Sequence, residues 1–298
     1  MSPADGTRSL TATELATQPD CWAAAVECAR IHADSLPAPG ARVLALGCGT
    51  SYYIAKSYAA LREGRGLGIT DAAVASEPPA RREYDAVLAL SRSGTTTEVL
   101  RALDAVVADK SIAIVGDAST PVGQAVDLTI ALDFADERSV VQTRFATTTL
   151  ALLRAQLGTN LDVAIADAHR ALAAALPRPD GALDHLVMLG NRWTVGLAEE
   201  AALKCRETAG MWSESYAAME YRHGPISATT RQTLVWSLDP LPDGLPEALA
   251  QTGATVEVGL LDPLAELIRV QRQALVSAVR RGRDPDAPAN LERSVILS

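Results

Sequence analysis

The chain has 298 residues, enough for one large domain or two ordinary ones, and its 48% hydrophobic content excludes a disordered polypeptide. A formal net charge of −9 excludes general attraction to nucleic acid or anionic membrane, which rests on basic patches, so any anionic ligand must be held locally. The opening MSPADGTRSLTATELATQPD lacks a basic-then-apolar leader, and no apolar run reaches bilayer-spanning length. Cys21, Cys28, Cys48 and Cys205 show neither CxxC spacing nor clustering with the four histidines, so neither a disulfide framework nor a zinc site is indicated. The expectation is a soluble cytoplasmic chain with reduced thiols, no metal, no organic cofactor, and no nucleic-acid or membrane partner.

In chain order, an alanine-rich helix is predicted from Trp22 to about Leu36, ended by Pro37 and Pro39. A buried strand from Arg42 to Leu46 feeds a small-residue turn, and a helix follows from about Ser51 to Glu63. The pattern recurs: strand Ala86 to Leu90, turn Ser91 to Thr96, helix Glu98 to about Ala108, strand Ser111 to Val115. After a helix near Asp162 to Leu176 and the breaker Pro177-Arg178-Pro179, strand His185 to Leu189, turn Gly190-Asn191-Arg192-Trp193 and helix Thr194 to Ala209 repeat it again. VLALGCGTS and LVMLGNRWT share an apolar run ending in Leu-Gly before a helix, which suggests two related lobes. Strands are predicted at Thr233 to Leu238 and Thr255 to Leu260, and a long helix from Pro263 to about Arg281, before an irregular tail. Short apolar strands alternating with helices predict an α/β fold: two doubly wound, flavodoxin-like parallel-sheet lobes in tandem, residues 1–160 and 161–298.

Two turns carry chemistry. Cys48-Gly49-Thr50-Ser51 and Ser91-Arg92-Ser93-Gly94-Thr95-Thr96 each place hydroxyls and glycine where a following helix exposes unpaired N–H groups, an arrangement suited to an anion such as phosphate. The alternative is that these hydroxyls are ordinary helix N-caps, although one cap needs one hydroxyl and each turn offers several. On the predicted helix Thr194 to Ala209, Glu200, Lys204 and Glu207 stand at i, i+4 and i+7 and share a face. They can serve as a base with an electrostatic partner, or form a solvated salt-bridge ladder. Lys204 is one of only three lysines in a chain that otherwise uses arginine, which favours a role needing reach or titratability. His223 falls in the turn Arg222-His223-Gly224-Pro225, where an imidazole can exchange a proton with a sugar ring oxygen or simply bond backbone.

The ordered strings ALGCGTS, SRSGTTTE, EEAALKCRE, MEYRHGP and NLERSV resemble the sugar isomerase (SIS) fold, and in order and spacing the isomerase half of glucosamine-6-phosphate synthase, from about Val43 to Ser298. The segment before Val43 is too short for a glutamine-hydrolysing half, so amide-nitrogen donation is not expected. The resemblance implies a phosphosugar ligand with phosphate at Cys48, Gly49, Thr50, Ser51, Ser91, Arg92, Ser93 and Thr96. It assigns proton transfer between C1 and C2 to Glu207, with Lys204 and Glu200 beside it, and it has His223 reaching the site of a neighbouring subunit in a homodimer. The segment Glu137 to Arg144, with Val140 and Gln142, is implied as a further substrate contact, although Gln142-Thr143-Arg144 stands where relatives often have Ser-Thr-Lys. Arg92 occupies a position that is glutamine in the synthase, where a guanidinium could bind phosphate bidentately. Arg293 stands where the synthase has an imine-forming lysine; arginine stays protonated and cannot be that nucleophile, though it can bind a hydroxyl or an anion.

Removal of a proton beside a carbonyl opens several fates. Reprotonation at C1 gives isomerisation, hydrolysis of a ketimine from a free 2-amino group gives deamination, and expulsion of the C3 oxygen from a 2-acetamido sugar gives a lyase or dehydratase. The expectation is an isomerase or deaminase first, a lyase second. A non-catalytic sugar-phosphate sensor is the third reading, opposed by the lack of a basic helix-turn-helix segment before Arg42 or after Arg283.

Overall fold

The computed structural model describes residues 9–177 and 183–297, so Arg178 and Pro179 of the expected breaker, and the final Ser298, lie outside the described residues. The chain forms two compact units: one of residues 17–161 with 290–298, the other of 1–16 with 162–289. Two segments thus lie elsewhere than a simple division after residue 160 puts them, the N-terminal stretch with the second unit and the C-terminal stretch with the first.

Helix α1 (Leu10–Ala16) belongs to the second unit, where Asp286 accepts from the Leu10 and Thr11 amides. The first unit begins with α2 (Gln18–Ile31), whose Cys21, Trp22, Ala25 and Ala29 form a buried stripe. Trp22 donates its indole N–H to the Thr147 hydroxyl at 3.0 Å, and Thr147 donates to Gln18 at 2.7 Å. Then come β1 (Val43–Gly47), α3 (Thr50–Gly64), β2 (Thr70–Val74), the two-residue β3 (Glu83–Tyr84), β4 (Ala86–Ser91), α4 (Thr97–Ala105), the two-residue β5 (Val107–Ala108), β6 (Ser111–Val115), α5 (Pro121–Gln124), β7 (Leu128–Ala131) and α6 (Arg144–Gln156). β3 and β5 pair only with each other. The main sheet is parallel throughout, in the order β2-β1-β4-β6-β7. With its strands numbered along the chain this is 2-1-3-4-5, the flavodoxin-like order, in which ligands sit outside the carboxyl ends of the two strands flanking the reversal. Those strands are β1 and β4.

The second unit continues with α7 (Asp162–Ala173), β8 (His185–Gly190), α8 (Thr194–Ala209), β9 (Trp212–Ala217), β10 (Thr233–Ser237), α9 (Leu245–Thr252), β11 (Thr255–Val258) and α10 (Pro263–Arg280). Its sheet, again all parallel, has the order β11-β10-β8-β9. Read from β9, that is 2-1-3-4. Val187 and Leu189 of β8 and Val235 of β10 pack in a core with Tyr221, Leu245 and Leu249. No helix among the described residues is long and apolar enough to cross a membrane.

The repeated Leu-Gly at the ends of β1 and β8 has a steric cause. A Cβ on Gly47 would meet Ser51 Cβ at 2.7 Å and the Ser51 backbone carbon at 2.8 Å, and one on Gly190 would run into the Thr194 carbonyl. In both units the next helix packs its first turn directly on the strand end, so only hydrogen fits. Gly47→Ala and Gly190→Ala are each expected to lower the unfolding free energy by about 1–3 kcal/mol, the usual cost of overpacking a filled site, measured by urea titration. Gly64→Ala, which meets nothing within 4 Å in the last turn of α3, is the control and is expected to be neutral or slightly stabilising.

Candidate functional site

The first unit brings both hydroxyl-rich turns to the two strand ends that flank its reversal point: Cys48, Gly49, Thr50 and Ser51 follow β1, and Ser91 to Thr96 end β4. The N-cap alternative can be tested directly here. The cap of α3 is Gly49, which has no side chain and adopts φ 52°, and the cap of α4 is Thr96, whose side chain makes no capping hydrogen bond. Neither cap position therefore uses a side-chain hydroxyl to cap its helix. Thr50 and Ser51 stand in the first turn of α3, both buried. Cys48 is half-buried; burial pushes its thiol above the usual range, with Glu98 adding to the effect.

The second turn is internally built. Ser91 accepts from the Gly94 amide at 3.1 Å, and the Ser93 hydroxyl accepts from the Thr95 amide at 3.3 Å and lies 3.4 Å from that of Thr96. Gly94, at φ 63°, is required: a Cβ there would strike the side chain of Thr120. The C-terminal segment lies across this turn. Ser93 donates to the Ser294 hydroxyl at 3.1 Å, Thr95 and Ser294 share a bond of 2.8 Å, and the Leu297 amide donates to Thr97 at 2.9 Å.

Arg92, expected to meet phosphate, is 2% exposed and is engaged with backbone. Its guanidinium donates to the carbonyls of Ser139 at 2.7 Å, Val140 at 3.2 Å and Arg293 at 2.9 Å. Arg293 in turn donates to the Glu137 carbonyl at 3.0 Å and forms an ion pair with Asp136 at 2.8 Å. Val140 thus joins the turn through its carbonyl. Gln142 is half-buried, and its side-chain carbonyl oxygen has no hydrogen-bond partner among the described residues. Glu137, fully buried, accepts from the Thr143 amide and hydroxyl, both at 2.6 Å, from the Arg144 amide at 2.9 Å and from the Phe145 amide at 3.3 Å, and so supplies the acceptor that starts α6. Burial pushes its carboxyl up, against the nearby Arg92 charge and those bonds.

In the second unit, α8 carries the expected ionic face, and it is not a solvated ladder. Glu200 and Lys204 are 0% and 1% exposed in their side chains, and Glu207 is 20% exposed. The Lys204 ammonium lies 3.5 Å from Glu200 and donates to Glu207 at 2.5 Å. One cation thus serves two carboxylates, and the outer carboxylate is the one that reaches solvent. His223 follows the short 3-10 turn Glu220–Arg222 and is exposed. The turn after β8 spends its hydroxyl internally: Thr194 accepts from the Asn191 amide at 2.7 Å and bonds Asp239. Among the described residues no group of three or more His, Cys, Asp or Glu is arranged to hold a metal ion.

Sequence reasoning did not single out Ser294, Asp136 or the structural role of Glu137. Ser294 had a signal, its place directly after Arg293 in NLERSV; the pairing of Arg293 with Asp136 spans 157 positions and had none.

No family model matches the chain. Curated relatives include the glutamine–fructose-6-phosphate aminotransferase (isomerizing) of Caulobacter vibrioides, 27% identical over 315 residues, covering 86% of this chain and 52% of the relative. That of Sulfurisphaera tokodaii is 28% identical over 296 residues, covering 86% and 50%. The chain spans about half the length of the curated relatives it matches. Among solved structures, a glucosamine-6-phosphate deaminase from Thermotoga maritima superposes with a TM-score of 0.81 at 24% identity, covering 97% of this chain and 100% of that one. A tagatose-6-phosphate ketose/aldose isomerase from Escherichia coli gives 0.80 at 18%, covering 98% of each. At these identities the structures share the fold. The curated relatives are isomerizing glutamine–fructose-6-phosphate aminotransferases, matched over about half their length, in line with the SIS resemblance of the motifs.

The buried ion chain makes a prediction independent of any substrate. Lys204→Met strands Glu200 without its cation and is expected to destabilise the protein by about 3–5 kcal/mol. Adding Glu200→Gln to it should restore part of that loss in urea unfolding.

Proposed function

We propose that the chain converts a hexosamine 6-phosphate or related hexose phosphate by proton transfer between C1 and C2, as an aldose–ketose isomerase or a glucosamine-6-phosphate deaminase. The observation that carries this reading is the pair of hydroxyl-bearing turns at the two strand ends flanking the reversal of a flavodoxin-like sheet, where neither cap position makes a side-chain capping bond. Thr50, Ser51, Ser91, Ser93 and Thr96 supply hydroxyl donors for a phosphate at the N-terminal ends of α3 and α4. Glu207 is the general base. It is the accessible member of the ion chain, and Lys204 fixes its direction. A proton taken from C2 and returned to C1 by the same carboxylate interconverts aldose and ketose with no change in mass. On a 2-amino sugar the same step gives a ketimine, which water hydrolyses to ketose and ammonia.

Three further readings follow. The 2-1-3-4 order shared by both sheets supports two SIS lobes in tandem. The exposed turn position of His223 supports a homodimer in which this imidazole serves the partner's site and assists ring opening. Arg293 offers no amine, and its guanidinium is engaged by Asp136 and the Glu137 carbonyl, so the chemistry proceeds without an enzyme imine.

The protein is to be incubated with glucosamine 6-phosphate, N-acetylglucosamine 6-phosphate and fructose 6-phosphate while ammonia and product mass are followed. Unchanged mass identifies an isomerase and ammonia a deaminase; loss of water would make it a lyase, and binding without conversion a sensor. Glu207→Gln is expected to lower kcat by about 10²–10⁴-fold with substrate binding retained. Unchanged turnover would remove Glu207 from the role of base.

A further inference from the structure

Arg92 sits inside the phosphate turn and uses its charge on backbone. Its three carbonyl partners come from two separate places: Ser139 and Val140 in the loop before α6, and Arg293 in the C-terminal segment. Its own carbonyl accepts from the Gly116 amide at 3.1 Å, past the end of β6. Gly116 is itself confined there, since a Cβ would meet the Arg92 carbonyl at 2.8 Å and Asp136 at 2.6 Å. A planar guanidinium with five donors can hold several carbonyls at once, which a glutamine amide or a lysine ammonium cannot do in the same geometry.

The segment held in this way has few other anchors on the turn. Residues 295–297 are exposed. Among the described residues their hydrogen bonds to the turn are the Thr97 amide donating to the Val295 carbonyl at 3.4 Å and the Leu297 amide donating to Thr97. Yet this segment delivers the Ser294 hydroxyl to Ser93 and Thr95, two of the hydroxyls of the turn.

We propose that Arg92 is a positioning residue that fastens residues 290–297 and the 139–140 loop onto the hydroxyl turn, so that the C-terminal segment forms a fixed wall of the phosphate cradle. Arg92 therefore acts on the ligand through the segments it holds and not by touching phosphate. Asp136 completes the fastening from the other side by pairing with the Arg293 side chain. The consequence for ligand binding rests on the phosphosugar reading; the fastening itself does not.

The test uses the full-length chain as wild type, Arg92→Gln and Arg92→Lys, with hydrogen exchange followed by mass spectrometry and inorganic phosphate as the binding probe. In Arg92→Gln, peptides covering 290–297 are expected to exchange at least about tenfold faster, the weight of one charge-assisted bond. Peptides covering β1 and β4 should keep their wild-type protection. Arg92→Lys, which keeps the charge but loses the fork, should fall between the two and serves where the glutamine variant does not fold. Phosphate affinity should fall by a similar factor in step with the loosening, and with a converted sugar phosphate the loss should appear mainly in KM. Wild-type exchange of 290–297 in both variants would overturn the fastening. Weakened phosphate binding with unchanged exchange would instead make Arg92 a direct phosphate ligand, and faster exchange throughout β1 and β4 would reduce it to a core residue; either result sinks the proposal. If wild type binds no phosphate while the exchange pattern appears as expected, the phosphosugar reading fails and the fastening stands.

Discussion

The chemistry available to the first unit depends on the strand order of its sheet. β1 lies between β2 and β4, so the chain runs one way from β1 and then returns past it to build the rest of the sheet. At such a reversal the connections leave neighbouring strand ends toward opposite faces, and a crevice opens where no crossover helix closes it. Each strand end then needs a turn made of small residues. Gly47 is fixed by the close approach of α3, and Gly94 by a left-handed backbone against Thr120. Hydroxyls placed on such turns are presented by backbone that has little freedom to move. That is the preorganisation a phosphate site requires, because a flexible loop would lose entropy on closing around the anion.

The ion chain of α8 obeys a different constraint. Placing Lys204 and Glu200 out of water gains little over a well-packed apolar pair, since desolvation offsets most of the Coulomb attraction. Stability alone therefore does not account for these residues at buried positions of a helix that already packs through Leu197, Ala201 and Ala209. What the arrangement provides is direction. An ammonium held from below by a buried carboxylate holds a second carboxylate, partly exposed, in one direction.

How much of this could be read from sequence followed burial. The central strands β1, β4, β6, β8 and β10 are covered on both faces and read as continuous apolar runs. The edge strands β2 (TDAAV), β7 (LTIA) and β9 (WSESYA) are partly exposed and mixed in polarity, and none was expected. Helix α6 was also missed. Its RFATTT start is rich in β-branched residues that disfavour helix, and its beginning is secured by Glu137, a carboxylate outside the helix whose role only tertiary structure reveals. The two hydroxyl turns and the i, i+4, i+7 face of α8 were legible because short-range spacing specifies them. The return of residues 290–297 to the first unit was not, since no local pattern encodes a contact spanning about two hundred positions.

The two departures from the synthase pattern meet in that returning segment. Arg92 replaces a glutamine and holds the Arg293 carbonyl; Arg293 replaces a lysine and ties its side chain to Asp136 and the Glu137 backbone. In sequence they are unrelated changes in distant motifs, but in the structure they act on one stretch of backbone. A lysine that is to form an imine must bring a free amine to its substrate, and therefore needs a tail able to move. An arginine at the same place can be committed to neighbouring carbonyl and carboxylate groups, and a second arginine beneath it can secure the tail's backbone. On the proposed reading, the anchoring side chain and the clamp below it work together, holding one tail against the hydroxyl turn. On that same reading, proton transfer stays with the carboxylate on α8, and the C-terminal segment forms a wall of the hydroxyl turn.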